Sequence, residues 1–510
     1  MTARDVLIVG AGPTGLVLAL WLTRQGVTVR IIDKTGGPGT TSRAMAVQAR
    51  TLELYRQLDL ADAVVAAGRS NPGINLWVSG ERKARISFGM AGAKLTPYPF
   101  LLVYPQDQHE RLLIERLQAM GVVVERQTEL IDFEDKGDRV VARLKTPAGH
   151  EEVCEARYLA GCDGARSTVR HKLGTGFAGG TYEQLFYVAD VEARGPASNG
   201  EVHVALESAD FVALFAYGKK GQGRLIGVIR DEREEAERLT FDDVGHRAIK
   251  SLRLDIDKVN WFSTYRVHRR VTDHYRHGRA FLVGDAAHVH SPAGGQGMNT
   301  GIGDAINLAW KLAAVLKGQA SESLLDSYEA ERIAFARRLV NTTDRIFTFV
   351  TAEGRFADFV RTRIAPVIVT IAYSIGSVRE FMFRMISQTM LNYQGSPLSQ
   401  GTAGKVKGGD RLPWVSAGGL DNYAPLSAIA WQLHVYGTAR DDLTQWCAMH
   451  EVPLHVFPWA PEHGAAGLAQ NAAYLLRPDT YVALAEPSGA SIILDNYVKE
   501  RNISLKPARA

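Results

Sequence analysis

Gly10-Ala-Gly12-Pro13-Thr14-Gly15 is the first stretch whose residue types and spacing can do chemistry. The glycines of a G-x-G-x-x-G turn have distinct roles. Gly10 makes the tight turn, Gly12 lets a pyrophosphate approach the backbone, and Gly15 lets a helix pack close to a strand. Pro13 and Thr14 open that helix, whose free N–H groups and positive end attract phosphate. Asp33 stands 18 residues past Gly15 and suits the two hydroxyls of an adenosine ribose; as a carboxylate it repels a 2′-phosphate. Lys34, next in the chain, is grouped with it. With 49 glycines in 510 residues the bare pattern arises by chance about 0.45 times per chain. Its place between a strand and a helix is what gives it weight.

Two more clusters narrow the ligand. Leu159-Ala-Gly-Cys-Asp163-Gly164 sets an Asp-Gly pair after a strand, and Phe281-Leu-Val-Gly284-Asp285 sets a Gly-Asp pair likewise. The second runs into Ser291-Pro292-Ala-Gly294-Gly295-Gln-Gly297-Met298-Asn299. Either pair alone is common turn chemistry. Glycines 294, 295 and 297 keep side chains off a flat ring and let main-chain N–H groups face it. The helix starting near Asn299 then aims its positive end at that ring, an effect of about 0.3–1 kcal/mol when exposed and up to about 2 when partly buried. His288 and His290 flank this loop, but without a Cys or acid cluster they read as local hydrogen-bonding residues, not metal ligands.

These groups need a scaffold. The apolar run at residues 5–9 predicts a buried parallel strand, 13–25 a helix ended by Gly26, and 27–32 a second strand. Helices are expected over 42–58 and 106–120, and short strands over 121–126, 138–145 and 157–161. Between 181 and 268 the texture becomes alternating, with Phe211, Phe215 and Tyr217 on one periodic face, which predicts an antiparallel sheet. From 279 the buried parallel style returns, followed by a long helix over 299–316 with one apolar face. Residues 396–424, rich in Gly, Ser and Pro, read as a linker, and 425–510 as a small α/β domain. The expected plan is α/β: a Rossmann-like nucleotide-binding domain (1–180 and 269–395) interrupted by a sheet domain (181–268), then the linker and the C-terminal domain.

Composition excludes several classes. Forty-six percent hydrophobic and 22% charged residues rule out disorder, and a net charge of +4 over 510 residues gives no reason to expect nucleic acid. Cys154, Cys162 and Cys447 form no C-x-x-C pair, so neither a disulfide framework nor zinc is indicated, and a cytoplasmic setting fits. The apolar N-terminal run is broken by glycines and does not read as a signal peptide. Ile364 to Ile375 is 12 residues long, too short to span a bilayer, and reads as a buried or dimer-forming helix with an interfacial helix as the minor alternative.

In the order and spacing of its three motifs the chain resembles the FAD-dependent aromatic hydroxylases, the class A flavoprotein monooxygenases. It looks most like the branch of phenol hydroxylase, pentachlorophenol monooxygenase and the polyketide hydroxylases. The resemblance implies that Gly10, Gly12 and Gly15 hold the FAD pyrophosphate and Asp33 the adenosine ribose. It further implies FAD contacts for Arg43 and Gln106, for Asp163 in a dual FAD/NAD(P)H motif, and for Gly284 and Asp285 near the ribityl chain or ribose. Pro292, Gly295, Gly297, Met298 and Asn299 fall beside the flavin ring. The reaction implied is hydroxylation of a phenolic or polyketide-like ring, using O2 and NADPH or NADH as transient reductant, through a flavin hydroperoxide. The middle sheet is expected to hold the small aromatic substrate, with Phe211, Phe215 and Tyr217 as wall residues. Pro292 would lie at the reacting edge, and Tyr217 is a candidate for drawing off a phenolic proton. The tail resembles a thioredoxin-like domain, in which Cys447 lacks the partner needed for thiol–disulfide work. A homodimer is compatible with the resemblance. Baeyer–Villiger oxidation or oxidative inactivation of an antibiotic on the same fold is the alternative reaction, and a non-catalytic FAD-binding protein the more distant one.

Overall fold

In the computed structural model the described residues are 4–39, 44–71, 73–207, 211–218, 221–229, 239–244, 247–291, 295–351, 360–364 and 373–506. Strand Arg4–Val9 carries Val6, Leu7 and Ile8 fully buried, so it can sit only in the interior of a sheet covered on both sides. It pairs in parallel with Glu151–Gly161 on one side and Val29–Asp33 on the other. Ala280–Leu282 and Val124–Arg126 extend the sheet in parallel beyond them. The strands ending at Val9, Asp33, Gly161 and Leu282 therefore deliver their following loops to one edge, where such sheets bind ligands.

Helix Pro13–Arg24 is buried from Leu16 through Leu22. It packs against helices Gln106–Ala119 and Gly297–Leu316, so its middle has no face left for water and its last residue, Arg24, is the exposed one. The helix predicted over 42–58 takes a different form. Ala46–Val47 is a short strand paired with Leu102–Val103, helix Ala49–Tyr55 follows, and a tight turn covers Arg56–Leu58. The cause is tertiary: the Ala46 carbonyl and the Gln48 N–H are both taken by the side chain of Asn299.

The second sheet has eight strands, antiparallel except where Gly73–Val78 joins Val202–Leu206 in parallel, with Phe177–Arg194 and Asp255–Thr272 as its longest pair. Its far side is built by Gly73–Val78 and Glu81–Ser87, which come from inside the stretch assigned to the nucleotide-binding portion. The pattern of 81–87 is too rich in charge to announce a strand, and pairing with Val202–Leu206 through Gly73–Val78 places it. One face of this sheet packs Tyr187, Val212, Leu214 and Leu225 against Ile249 and Leu252. The other face turns toward the segment around Met45, Ala46 and Phe88.

Residues 396–424 are not a linker. Gln400–Ala403 and Val406–Lys407 join the six-stranded C-terminal sheet, and Leu412, Val415 and Tyr423 are buried. The glycines there serve close packing: a Cβ on Gly408 would lie 2.2 Å from the Gln400 backbone nitrogen, and one on Gly409 would lie 2.4 Å from that of Gln394. Among the described residues no helix is long and apolar enough to cross a membrane. Most of Ile364–Ile375 lies outside the described residues.

Candidate flavin site

The glycine turn has the geometry that phosphate binding needs. Gly10 has φ +105°, and a Cβ there would lie 2.3 Å from the Cys162 carbonyl oxygen; a Cβ on Gly15 would lie 2.0 Å from the Gly10 carbonyl oxygen. Around Gly12, by contrast, a Cβ would meet nothing within 4 Å. The crowded glycines close the turn and the open one leaves room for a ligand at the helix end. Pro13 fills the first position of that helix, no side chain caps it, and its first turn holds no acid. The positive end is uncompensated.

Asp33 lies beside this turn. Its Oδ2 accepts from the Ala11 N–H at 2.7 Å, and its Oδ1 accepts from the Thr35 N–H and hydroxyl at 2.8 and 2.6 Å. This fixes the carboxylate at the mouth of the turn. Arg126, on the adjacent strand, places Nη1 at 3.7 Å from Asp33 Oδ1, while its Nη2 is buried with no partner among the described residues. No local pattern singles out Arg126, because only the pairing of Asp33 with Arg126 across strands brings it here. Lys34 is exposed. Gln106 opens its helix and donates to Glu110 Oε1 at 2.8 Å, and Glu110 also accepts from the Gly39 N–H at 3.1 Å. Arg43 lies outside the described residues, as does Pro292.

Asp163 is next to the same turn, its Cα 2.9 Å from where a Gly10 Cβ would be. One oxygen accepts from the Val169 N–H at 3.1 Å; the other, Oδ1, is buried without a partner among the described residues. A buried carboxylate oxygen left over beside an open phosphate turn fits a polyhydroxylated ligand.

The third motif converges on the other two. Gly284 has φ +65°, and a Cβ on it or on Gly301 would lie 2.8 or 2.4 Å from Thr14 Oγ1. Thr14 thus sets the starts of helices Pro13–Arg24 and Gly297–Leu316 side by side, with both positive ends in one place. Asp285 is exposed at this edge, and Met298 is half-buried against the core. Gly295 has φ +62° and would push a Cβ to 2.8 Å from that of Ala46. The side chain of Asn299 is fully engaged: Oδ1 accepts from the Gln48 N–H at 2.9 Å and the Thr51 hydroxyl at 2.8 Å, and Nδ2 donates to the Ala46 carbonyl at 2.8 Å and the Gly295 carbonyl at 3.1 Å. It clasps the loop to the segment 46–51.

The arrangement fits FAD on its own terms, and the comparisons agree. The family described as FAD binding domain matches residues 3–343. The chain belongs to this FAD-binding family. It is 40% identical over 419 residues to 6-methylpretetramide 4-monooxygenase of Streptomyces rimosus, covering 79% of this chain and 72% of that one. It is 32% identical to pentachlorophenol 4-monooxygenase of Sphingobium chlorophenolicum, covering 69% and 65%. Aklavinone-11 hydroxylase, solved with FAD and aklavinone, superposes with a TM-score of 0.79 at 26% identity, covering 98% of this chain and 99% of that one. The protein is a flavoprotein monooxygenase of the aromatic hydroxylase type, with FAD as its cofactor.

Around the FAD motifs stand two groups that sequence reasoning missed, Asp304 and Arg332. Asp304, wholly buried, accepts from the Gly284 N–H at 3.1 Å, His288 Nε2 at 2.6 Å and Arg332 Nε at 2.5 Å, holding the loop from behind. His290 Nδ1 bonds the Ser291 carbonyl at 2.8 Å, and burial with the neighbouring His288 pushes its imidazole down to about 4, so it is neutral at physiological pH. Among the described residues no group of His, Cys, Asp and Glu could hold a metal.

The sheet face opposite carries a row of directly paired residues: Trp261, Asp190, Arg224, Phe215, Val202 and Ile74. Arg224 donates to Asp190 through Nε and Nη2, both at 2.7 Å, making one ion pair in an otherwise apolar row. Phe215 and Tyr217 pack into the cluster of Met45, Ala46 and Phe88, next to Gly295. Phe211 is on the same face but at its other end, with Phe186, Val228 and Tyr265. The three aromatic residues therefore do not line one patch, because the four residues of extended chain from Phe211 to Phe215 put them about 13 Å apart along the face. Burial pushes the Tyr217 hydroxyl up to about 12, with Asp190 adding to the effect. At working pH it is a donor and not a base.

Proposed function

We propose that the protein hydroxylates a phenolic ring of a polycyclic, polyketide-like substrate bound between the antiparallel sheet and the loop 295–299. The single observation that carries this is the paired row Trp261–Asp190–Arg224–Phe215, whose Phe215 end packs with Met45 and Ala46. It joins aromatic surface to one oriented Arg224–Asp190 ion pair, suited to an extended fused-ring system bearing a hydrogen-bonding oxygen. The names of the relatives point the same way, since one acts on 6-methylpretetramide and another was solved with aklavinone.

On this reading the chain's own residues do the positioning. Gly12 and the start of helix Pro13–Arg24 take the pyrophosphate, Asp33 and Arg126 the adenosine ribose, and Asp163, Gly284 and Asp285 the polar chain leading to the ring. Gly295, Gly297 and Met298 offer backbone N–H groups to the ring itself. When bound and reduced by NADPH or NADH, FAD supplies the activation of O2. Tyr217 donates a hydrogen bond to a substrate oxygen, Arg224 stabilises its developing negative charge, and Asp190 keeps Arg224 in place. Phe215 and Met45 exclude water from the reacting edge.

The same reading treats 1–180 with 269–395 as the FAD-binding domain, apart from the strands Gly73–Val78 and Glu81–Ser87 that join the sheet, the sheet as the substrate domain, and the C-terminal part as thioredoxin-like. The last is supported by a central sheet of strands Gln432–Tyr436, Leu454–Phe457, Ala473–Leu476 and Val482–Glu486 flanked by helices Asp441–His450 and Ser491–Arg501. Three free, buried cysteines support a cytoplasmic location.

The test is a panel of phenols, from simple phenol to tetracyclic naphthacene-type phenols, scored for stimulated NAD(P)H oxidation with hydrogen peroxide measured alongside. Stimulation without peroxide should grow with ring number. Stimulation only by monocyclic phenols would refute the polycyclic assignment. Labelled O2 in the product, with the carbon skeleton intact, separates hydroxylation from ring-inserting oxidation.

A further inference from the structure

We propose that the turn Arg477–Thr480 in the C-terminal part is a positioning element of the flavin site, acting through Arg50 on the segment that Asn299 clasps to the flavin loop. The proposal rests on the flavin reading of that loop and gives the C-terminal part a role that needs no redox chemistry of its own.

Two arms connect the turn to the site. In the first, Arg50 Nη2 donates to the Asp479 carbonyl at 3.0 Å and to Thr480 Oγ1 at 2.8 Å. Arg50 stands between Gln48 and Thr51, the two residues that donate to Asn299 Oδ1. Asn299 in turn donates to the Gly295 carbonyl. The path from Thr480 to the flavin loop is thus made of three side chains and one helical turn, all buried. In the second arm, Asp479 Oδ2 accepts from Trp310 Nε1 at 3.1 Å, on the helix that begins at Gly297. Arg477 adds to this by pairing with Glu331 at 2.6 Å, and Glu331 also accepts from Lys311 at 2.8 Å and Asn307 at 2.6 Å on that helix.

The backbone of the turn carries a side chain where glycine would fit more easily. Thr480 sits at φ +69°, a conformation that glycine adopts freely and a β-branched residue does not. The hydroxyl it brings is an acceptor for Arg50, which glycine cannot supply. Strain of this kind persists only where the surroundings hold it in place. Arg50, Arg477, Asp479 and Glu331 are all at most 4% exposed, so none can let go of its partner and turn to water. A displacement of the turn must therefore move Arg50 and Trp310 with it. A cavity of about 20 Å3, bordered by Arg50, Thr51, Asn299 and Asp479, lies at the joint, and Arg50 Nε is buried without a partner among the described residues. Small shifts of the arginine are accommodated there.

The experiment compares Thr480→Val, which keeps the shape and loses the acceptor, with Thr480→Ser, which keeps the acceptor. Four quantities are read: the FAD dissociation constant of the apoprotein, the visible spectrum of the bound flavin, the share of NAD(P)H electrons ending in peroxide, and Tm. Thr480→Val should melt within about 4 °C of the parent, bind FAD about tenfold more weakly, shift the visible band and leak several times more peroxide. Thr480→Ser should match the parent in all four. Where Thr480→Val melts much lower, Arg50→Lys takes its place, since lysine keeps the charge but is shorter and lacks the planar fork by which Arg50 reaches Glu53 and the turn at once; it should show the same shifted band and leak. An unchanged spectrum, FAD affinity and peroxide share in the folded variant would overturn the proposal, as would Thr480→Ser behaving like Thr480→Val. Parent apoprotein that takes up no FAD would instead sink the flavin reading itself.

Discussion

Asp304 Oδ2 lies 2.6 Å from His288 Nε2, behind the loop whose front faces the flavin site. The same carboxylate holds the Gly284 N–H and the Arg332 guanidinium, so one buried acid joins the end of a parallel strand, the flavin loop and two long helices. Replacing it by asparagine leaves Arg332 buried beside a neutral group, a loss of about 3–5 kcal/mol. Asp304→Asn should therefore melt well below the parent and purify with much of its flavin lost, read from the ratio of visible to protein absorbance. A variant with parental Tm and full colour would show that the acid is dispensable.

Acid should act through the same buried carboxylates. Burial pushes Asp304, Glu53 and Glu331 up, but the guanidinium groups of Arg332, Arg411 and Arg477 outweigh it and hold all three below the usual carboxylate range. A depressed folded value means stability that is fully present above the unfolded values, 3.8 for Asp304 and 4.5 for the glutamates, and is lost as pH falls through the folded ones. Thermal stability should therefore show no loss from these groups between pH 7 and about pH 5 and fall steeply below about pH 4.5. A decline already complete at about pH 5.5 would assign acid sensitivity elsewhere.

Arg126 should tell FAD from FMN. Its Nη1 lies 3.7 Å from Asp33 Oδ1 and its Nη2 is buried without a partner among the described residues, and a charge-assisted hydrogen bond is worth about 1.5–3 kcal/mol. Arg126→Gln should weaken FAD binding to the apoprotein by about 10- to 100-fold and leave FMN binding as it was, because FMN lacks the adenosine half. Equal losses for both flavins would place Arg126 in general folding.

Tyr217 should contribute no ionisation to the pH–rate profile below about pH 10, since burial holds its hydroxyl at about 12. Tyr217→Phe removes one donor worth about 1 kcal/mol and should lower kcat/KM several-fold while raising the peroxide share. A profile whose basic limb disappears in Tyr217→Phe would restore the tyrosine as the base.

Cys447 is buried, and burial pushes its thiol up to about 12, so it is not a nucleophile at neutral pH. Cys447→Ser should turn over at the parental rate and coupling. A dead but folded enzyme would give the C-terminal part a redox role.

Local pattern made the FAD motifs legible. Gly10, Gly12 and Gly15 could be read because a strand, a tight turn and a helix start are all coded within a few residues, and the turn forms as expected. The helix over 106–119 and the long helix from Gly297 were legible through their periodicity. The segment 42–58 was not, because the bonds that shape it come from Asn299, some 250 residues away. The glycines of 396–424 misled for a related reason: glycine marks both flexible chain and backbones pressed together, and only the packed neighbours distinguish the two.

By itself, then, the amino-acid order determined the nucleotide fingerprint, the three-motif plan and the alternation of strand and helix, since these depend on neighbours a few positions apart. The tertiary structure alone decided that Arg126 meets Asp33, that Asp190 pairs with Arg224 beside Phe215, and that Thr480 reaches Arg50. Those meetings join residues that no local periodicity relates. They form only when buried charges, which cannot face water or stand alone, find partners supplied by distant strands and helices.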